Sequence, residues 1–261
     1  RIICIDVYLR NCGNLTTMTD DFYHDENLKR TSSYYKDEDQ QNLLWRINRA
    51  LSKLELPVAS ENLFPTLFIF GLPRSGTTLT YQLLSYCLDI GYINNLMAKF
   101  WLAPICGIEL SKATLGDGVD NSFESNLGRT NEPTGPHEFS YFWQYWLKVK
   151  GLEDMLTFNS SKKEIDWDGL GKQVRNMQNT FGKGMLFKTM YAGNHLEAFS
   201  KTFSMPLFIY IERELDDVAL SILSARKAYY RNVDTWWATY PPNYKDIKHR
   251  KFSEQIAGQV L

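Results

Sequence analysis

The sequence predicts an α/β fold, a doubly wound parallel sheet flanked by helices, in a single domain spanning residues 1–261. Three observations carry that prediction. Short apolar runs without polar alternation read as strands covered on both faces. Helix-spaced segments separate those runs, the order that gives parallel rather than hairpin pairing. A glycine-rich turn follows the first run and leads directly into a helix.

Taken in order, "DEDQQNLLWRINRALSKLEL" (residues 37–56) places Leu43, Ile47, Leu51 and Leu54 three or four apart with acids at its start, which predicts an amphipathic helix. "TLFIF" (66–70) is the first strand. From Thr78 onward Leu79, Leu83 and Cys87 form one helical row with Leu84 and Leu88 beside it, and Cys87 is expected to be buried and inert. "SKATLGDGVDNSFESNLGRTNEPTGP" (111–136) is rich in Gly, Asn, Ser and Asp and predicts an extended loop, either a lid or a plain surface insertion. "MLFKT" (185–189) and "PLFIYIER" (206–213) are further strands around the helical "GNHLEAFSKTF", and "LDDVALSILSARKAYY" (215–230) closes the pattern as a helix. Internal repeats and low-complexity tracts are absent from the sequence.

With 261 residues and 44% hydrophobic content the chain can bury a sizeable core. A formal net charge of −1 argues against nucleic acid or anionic membrane as a bulk electrostatic partner, so an anionic ligand must be held at a defined site. No apolar run reaches the roughly 18 residues of a membrane span and the start of the sequence lacks a signal-peptide layout. A cytoplasmic location is expected, with a secretory lumen as the alternative if an N-terminal anchor precedes this sequence. The sequons at Asn14 and Asn159 matter only in that second case. Cys4, Cys12, Cys87 and Cys106 are scattered without a CxxC pair, and no metal site is expected.

The turn itself reads "GLPRSGTT" (71–78). Backbone N–H groups of such a turn, with the helix dipole behind them, converge on one point suited to phosphate. A nucleotide P-loop has lysine after its second glycine, to reach the β/γ-phosphates. Here that position is Thr77, and the turn's cation is Arg74, two residues before Gly76. "IYIERELDDVALS" then supplies Arg213 at the end of a strand and Ser221 eight positions later on a helix. At the carboxyl edge of an open sheet the two can converge on one phosphate; the plainer alternative for Arg213 is a surface ion pair.

"PRSGTT" and the Arg213/Ser221 pair together resemble the cofactor motifs of sulfotransferases that use 3′-phosphoadenosine 5′-phosphosulfate (PAPS), from about Phe64 to Tyr230 and closest to the bacterial-type branch. The resemblance implies a P-loop-like sulfotransferase architecture. It implies cofactor contacts from Arg74, Ser75, Gly76, Thr77 and Thr78 to the 5′-phosphosulfate, and from Arg213 and Ser221 to the 3′-phosphate. "FKTMYAGNHLEAF" is similar to a family segment that has proline where this chain has Met190, and the family's Arg/Lys-Gly loop is not recognisable in "ARKAYY" or "HRKF".

The implied reaction is in-line transfer of a sulfuryl group to an acceptor hydroxyl or amine, which requires positioning, proton removal and charge stabilisation on the leaving oxygen. Arg74 is the candidate for that oxygen, with Lys188 a second cation at the same sheet edge or merely a strand-end lysine. The family uses histidine or glutamate as base. His24 and His249 lie in polar stretches and His195 on a helix between strands, which leaves His137 in "NEPTGPHEFSYFW", with Glu138 as its rival. The aromatics from Phe139 to Trp146 are expected in the core with a few lining an acceptor pocket, and Trp236 and Trp237 as buried anchors. The implied acceptor is a small molecule, lipid or carbohydrate, and the aromatic density favours a partly apolar one. A P-loop kinase, suggested by Glu212 at the end of an apolar run, and a nucleotide-binding protein without transferase activity are the alternatives.

Overall fold

The computed structural model describes residues 29–54, 63–116, 122–149 and 165–261. His24, Cys4, Cys12 and both sequons lie outside them.

Helix α1 (Glu38–Leu51) starts where the Asp37 carboxylate accepts the Gln40 N–H at 2.9 Å, with Glu38 and Asp39 on the positive end of its dipole. Its buried face is not the predicted leucine row: Leu43 and Leu54 are exposed, while Asn48 is fully buried. Asn48 Nδ2 donates to the carbonyls of Leu44 and Lys99, and its Oδ1 accepts the Leu102 N–H at 2.8 Å. That clasp turns Leu44 and Trp45 onto the core, with Trp45 stacked on Trp101.

Strand β1 (Thr66–Gly71) leads through the glycine turn into α2 (Thr77–Cys87). Next come the two-residue β2 (Gly91–Tyr92), a 3-10 turn (Met97–Lys99) and α3 (Pro104–Leu115), which takes up the first residues of the predicted long loop. α4 (Ser140–Trp146) is followed by α5 (Trp167–Phe181), which Asp166 caps through the Gly169 N–H at 2.8 Å. β3 (Met185–Lys188), the short α6 (Tyr191–Asn194) and α7 (Leu196–Thr202) precede β4 (Pro206–Ile211). α8 (Leu215–Tyr230), α9 (Tyr244–Ile247) and α10 (Phe252–Val260) complete the described chain. Among the described residues no helix is long and apolar enough to cross a membrane.

The four strands are all parallel, in the order β2-β3-β1-β4. Successive side chains of a strand point to opposite faces, and both faces are covered. Phe68 and Phe187 join Trp143 of α4 and Phe199 of α7 on one side; Ile69 and Leu186 meet Tyr81 of α2 on the other. Phe68 is fully buried among rings of Trp143, Phe187, Phe199, Phe203 and Phe208, so truncating it to alanine costs about 3–5 kcal/mol. A third cluster joins α8 to α10 through Val218, Ile222, Ile256 and Val260. Beneath it the buried Arg226 donates to Gln255 Oε1 at 2.7 Å and to the Val233 carbonyl at 3.1 Å, and lies over Trp236. Trp236 is buried, as expected, whereas Trp237 is only partly buried against the third cluster.

The face of α2 differs from the sequence reading. Tyr81, Gln82 and Ser85 are buried, whereas Leu79, Leu83 and Cys87 are exposed. The Tyr81 hydroxyl reaches the Leu186 carbonyl at 3.2 Å and Gln82 Nε2 donates to the Glu124 carbonyl at 3.0 Å, so polar anchoring to the sheet and to the following loop sets the rotation of this helix. Register places the rest. Ile69 is paired with Lys188 and Gly71 with Ile211, which brings the ends of β1, β3 and β4 to one edge of the sheet.

Candidate functional site

The turn after β1 is shaped by two tight requirements. A Cβ at Gly71 would collide with the Ile211 carbonyl of β4 and lie 2.9 Å from Ser75 Oγ, so only glycine lets β4 run this close. Gly76 has φ 103 with open space around it; its constraint is backbone conformation, not room. Arg74 also adopts a left-handed φ of 72, which costs on the order of 1–3 kcal/mol in a non-glycine residue and is held in place by its contacts. Gly76 is the N-cap of α2 and no side chain caps that helix, so the first-turn N–H groups lack an intrahelical partner. The Ser75 hydroxyl is buried without a hydrogen-bond partner.

Two residues far from it in sequence close on this turn. Arg74 Nε donates to Ser221 Oγ at 2.9 Å, and Arg213 Nη1 donates to the Arg74 carbonyl at 3.4 Å. Arg213 also pairs with Asp217, one helical turn on, through Nε at 3.2 Å and Nη2 at 3.0 Å. Burial, and next the guanidinium of Arg213, lower the pKa of Arg74 from its ordinary value. Two guanidinium groups pressed together favour an anion between them. The ion pair foreseen as the plain alternative for Arg213 is therefore present, and Arg213 is at the turn as well.

The other side of the turn carries a second constellation. Lys188 ends β3 with its side chain 7% exposed, donates to Thr78 Oγ1 at 2.7 Å and pairs with Glu138 Oε1. Burial pushes the Glu138 carboxyl up, but the charge and hydrogen bond of Lys188 outweigh it and the pKa lies below the ordinary glutamate value. Glu138 is thus an anion at neutral pH whose side chain is still 35% exposed. His137 sits beside it with a different commitment. Its Nδ1 accepts the Phe139 N–H at 2.9 Å, and burial lowers its pKa to about 4. The imidazole is neutral at pH 7 with its proton on Nε2, a hydrogen-bond donor and a weak base.

Above both constellations lies the loop that the sequence marks as a lid or an insertion. A Cβ at Gly128 would fall 3.4 Å from Thr78 Oγ1, 3.9 Å from Arg74 Nη1 and 4.0 Å from Lys188 Nζ. Asn126 and Arg129 bridge around that glycine, and Asn126 Oδ1 accepts the Tyr34 hydroxyl at 3.0 Å. Arg129 lies over the stacked rings of Tyr34 and Tyr229, at 5.4 and 5.2 Å from their centroids. Sequence reasoning singled out none of Tyr34, Gly128 or Arg129; the one available signal is the Gly-Arg pair inside a polar loop.

A cleft of about 820 Å³ opens along the carboxyl ends of β1 and β4, lined among others by Gly71, Ser75, Tyr191, Tyr210, Arg213 and Tyr240. A groove between α5 and α7 is lined by Lys172, Asp168, Glu197 and Lys201, which neutralise one another in two ion pairs. Of the remaining candidates, His249 and Glu212 are exposed. His195 precedes α7 and packs on Trp167 and Phe199 at the cleft wall, with its pKa lowered by burial. No protein-family model matches the chain, and no curated protein or solved structure matches it.

Proposed function

We propose that the chain is a PAPS-dependent sulfotransferase of P-loop-like architecture, acting on an acceptor hydroxyl or amine. The observation that carries this reading is the convergence of Arg213 and Ser221 on Arg74, which ties two cofactor motifs separated by more than a hundred residues into one anion-binding edge. The residues present suit the donor nucleotide. The unpartnered Ser75 hydroxyl, the uncapped start of α2 and the crowded Arg74/Arg213 pair all call for an anion.

In this reading Ser75, Gly76, Thr77 and Thr78 hold the 5′-phosphosulfate through backbone N–H groups and hydroxyls. Arg213 and Ser221 hold the 3′-phosphate, exchanging their present partners Asp217 and Arg74 for its oxygens. Bound PAPS supplies a sulfuryl group whose bond to the 5′-phosphate breaks as the bond to the acceptor forms. Arg74 and Lys188 stabilise the charge left on the phosphate oxygen. Glu138 takes the acceptor proton. It is preferred to His137 because it is ionised and partly exposed, whereas the imidazole spends its Nδ1 lone pair on Phe139. Its ion pair with Lys188 supports this assignment by keeping the base and the leaving-group cation adjacent.

The test is thermal unfolding in EDTA with adenosine 3′,5′-bisphosphate, with 5′-AMP, and separately with ATP and Mg²⁺. Ligand at about a hundred times its Kd stabilises the native state by about 2.7 kcal/mol. The bisphosphate is expected to raise Tm more than 5′-AMP does, and Ser221→Ala with Arg213→Ala to erase the difference. Stabilisation by ATP only with Mg²⁺, or equal effects of the bisphosphate and 5′-AMP in the wild type, would overturn the proposal in favour of a kinase or a general nucleotide binder.

A further inference from the structure

The cleft along the carboxyl ends of β1 and β4 extends well beyond the groups assigned to the nucleotide. Its floor is formed where Phe70 and Tyr210 stand at paired positions of the two strands, with ring centroids 5.5 Å apart. Phe70 is half-buried and Tyr210 is 56% exposed, so both rings leave apolar surface open. One wall is α6 with Met190 before it; a Cβ at Gly193 would lie 3.2 Å from Phe70 Cδ2, which seats this wall directly on the floor. A second wall is the segment around Tyr240. Gln259 of α10 donates to the carbonyls of Trp237 and Thr239, each at 2.9 Å, and Tyr240 packs on Trp236 and Tyr244. Both walls are thus held by contacts within the fold.

The inner end of the cleft adjoins the reacting groups. Phe70 follows Ile69, the register partner of Lys188, and Met190 and Tyr191 come soon after Lys188 in the chain. Burial pushes the Tyr191 phenol up to about 12, against a hydrogen bond with Gln144, and the charge of Glu138 adds to the rise. Ser75, whose buried hydroxyl lacks a partner, lines the same cleft from the turn. The lining defines what can enter. Among the described lining residues the charged side chains are Glu212 and Arg213; Arg213 is engaged by Asp217 and the Arg74 carbonyl, and Glu212 repels a second anion. Most of the rest is aromatic, aliphatic or proline surface, with Asn194 and Asn243 as isolated polar groups. A concave site of about 820 Å³ with that composition suits a compact apolar ligand held in orientation by a few hydrogen bonds.

We propose that this cleft is the acceptor site and that the acceptor is an uncharged ring alcohol, aryl or alicyclic, whose ring lies on Phe70 and Tyr210 and meets Tyr240 while its hydroxyl passes Met190 and Tyr191 toward Glu138. The word acceptor rests on the sulfotransferase reading; the apolar site rests on the cleft alone. The expectation of a partly apolar acceptor is thereby narrowed to a neutral one and given a place in the fold.

Calorimetric titration tests it with 2-naphthol and decahydro-2-naphthol as neutral rings, against 6-hydroxy-2-naphthoate and methyl β-D-glucopyranoside. Titrations are run with and without saturating adenosine 3′,5′-bisphosphate. At least one neutral ring is expected to bind about tenfold tighter or more than both counterparts, with the negative heat-capacity change of apolar burial. Tyr210→Ala should weaken that binding about two- to tenfold, the range of a ring contact, and Tyr210→Phe should restore it. Met190→Ala, on the neighbouring wall, is expected to act in the same sense. Tyr210 is exposed, and an unchanged Tm shows that its variants are folded. Bisphosphate affinity should be the same in all of them. Absence of binding by both neutral rings, equal or tighter binding of the naphthoate or the glucoside, or ring binding unchanged in both Tyr210→Ala and Met190→Ala overturns the inference. So does a loss of bisphosphate affinity in Tyr210→Ala as large as the loss of ring affinity, since the cleft would then belong to the nucleotide. Ring binding without any bisphosphate stabilisation would instead remove the sulfotransferase reading and leave the apolar site standing.

Discussion

Replacing His137 by asparagine tests the site's electrostatics through stability alone. Asparagine keeps an oxygen near the place of Nδ1 to accept the Phe139 N–H, now 2.9 Å away, while removing the titration. In the unfolded chain the imidazole takes up its proton near pH 6.5, in the folded one near 4, chiefly because burial penalises the charged form. Between those values the unfolded state binds more protons, so stability rises with pH. The contribution is complete above pH 6.5 and is lost as pH falls toward 4. A shift of about 2.5 units at about 1.36 kcal/mol each gives about 3 kcal/mol over that window. Urea unfolding at pH steps from 7.5 to 4.5 should show the wild type losing about that much more than His137→Asn. His195 acts in both proteins and cancels in the difference, while Glu138, coupled to His137 and, against its burial, held below the ordinary glutamate value chiefly by Lys188, keeps its contribution through most of that pH range. Parallel curves for the two proteins would refute the lowered imidazole pKa and the weak basicity that follows from it.

Glu138→Gln should lower kcat by about 10² to 10⁴-fold while leaving bisphosphate stabilisation in place, with His137→Asn losing far less; steady-state assays across an acceptor panel decide it. Gly71→Ala forces a methyl group against the Ile211 carbonyl and should cost about 1–3 kcal/mol or more by urea unfolding, with no effect expected if β4 does not run that close. Asn48→Leu removes three hydrogen bonds and strands the carbonyl of Lys99 and the N–H of Leu102, a loss of about 2–4 kcal/mol that a purely apolar α1 contact would not show.

The strands and the helix of residues 215–230 were legible because their signals are local: unbroken apolar runs, a glycine turn, acids at a helix start. The faces of α1 and α2 were not. Leucines at three- and four-residue spacing offered two neighbouring rows, and the choice between them was made by Asn48, Tyr81 and Gln82, whose partners lie on other elements. β2 is two residues long and leaves no pattern to read. The site divides the same way. Arg74, Arg213 and Ser221 were found through motif spacing and stand together at one edge. The Lys188–Glu138 pair could be named residue by residue but not as a pair, since fifty positions separate them. Tyr34 and Arg129 come together where the segment before α1 is hydrogen-bonded through Thr31 to the end of α8, a long-range contact that no local pattern announces.

The parallel sheet has a consequence for how the protein is made. β1 lies between β3 and β4, whose residues follow it by more than a hundred positions, so its flanks stay unpaired until most of the chain has left the ribosome. A nascent chain that has emerged only as far as α5 carries Phe68 and Ile69 without either neighbouring strand. Synthesis stalled there should yield a sticky, protease-sensitive species that chaperones must shelter, and the proposed nucleotide site should become complete abruptly, with the emergence of α8, rather than by stages.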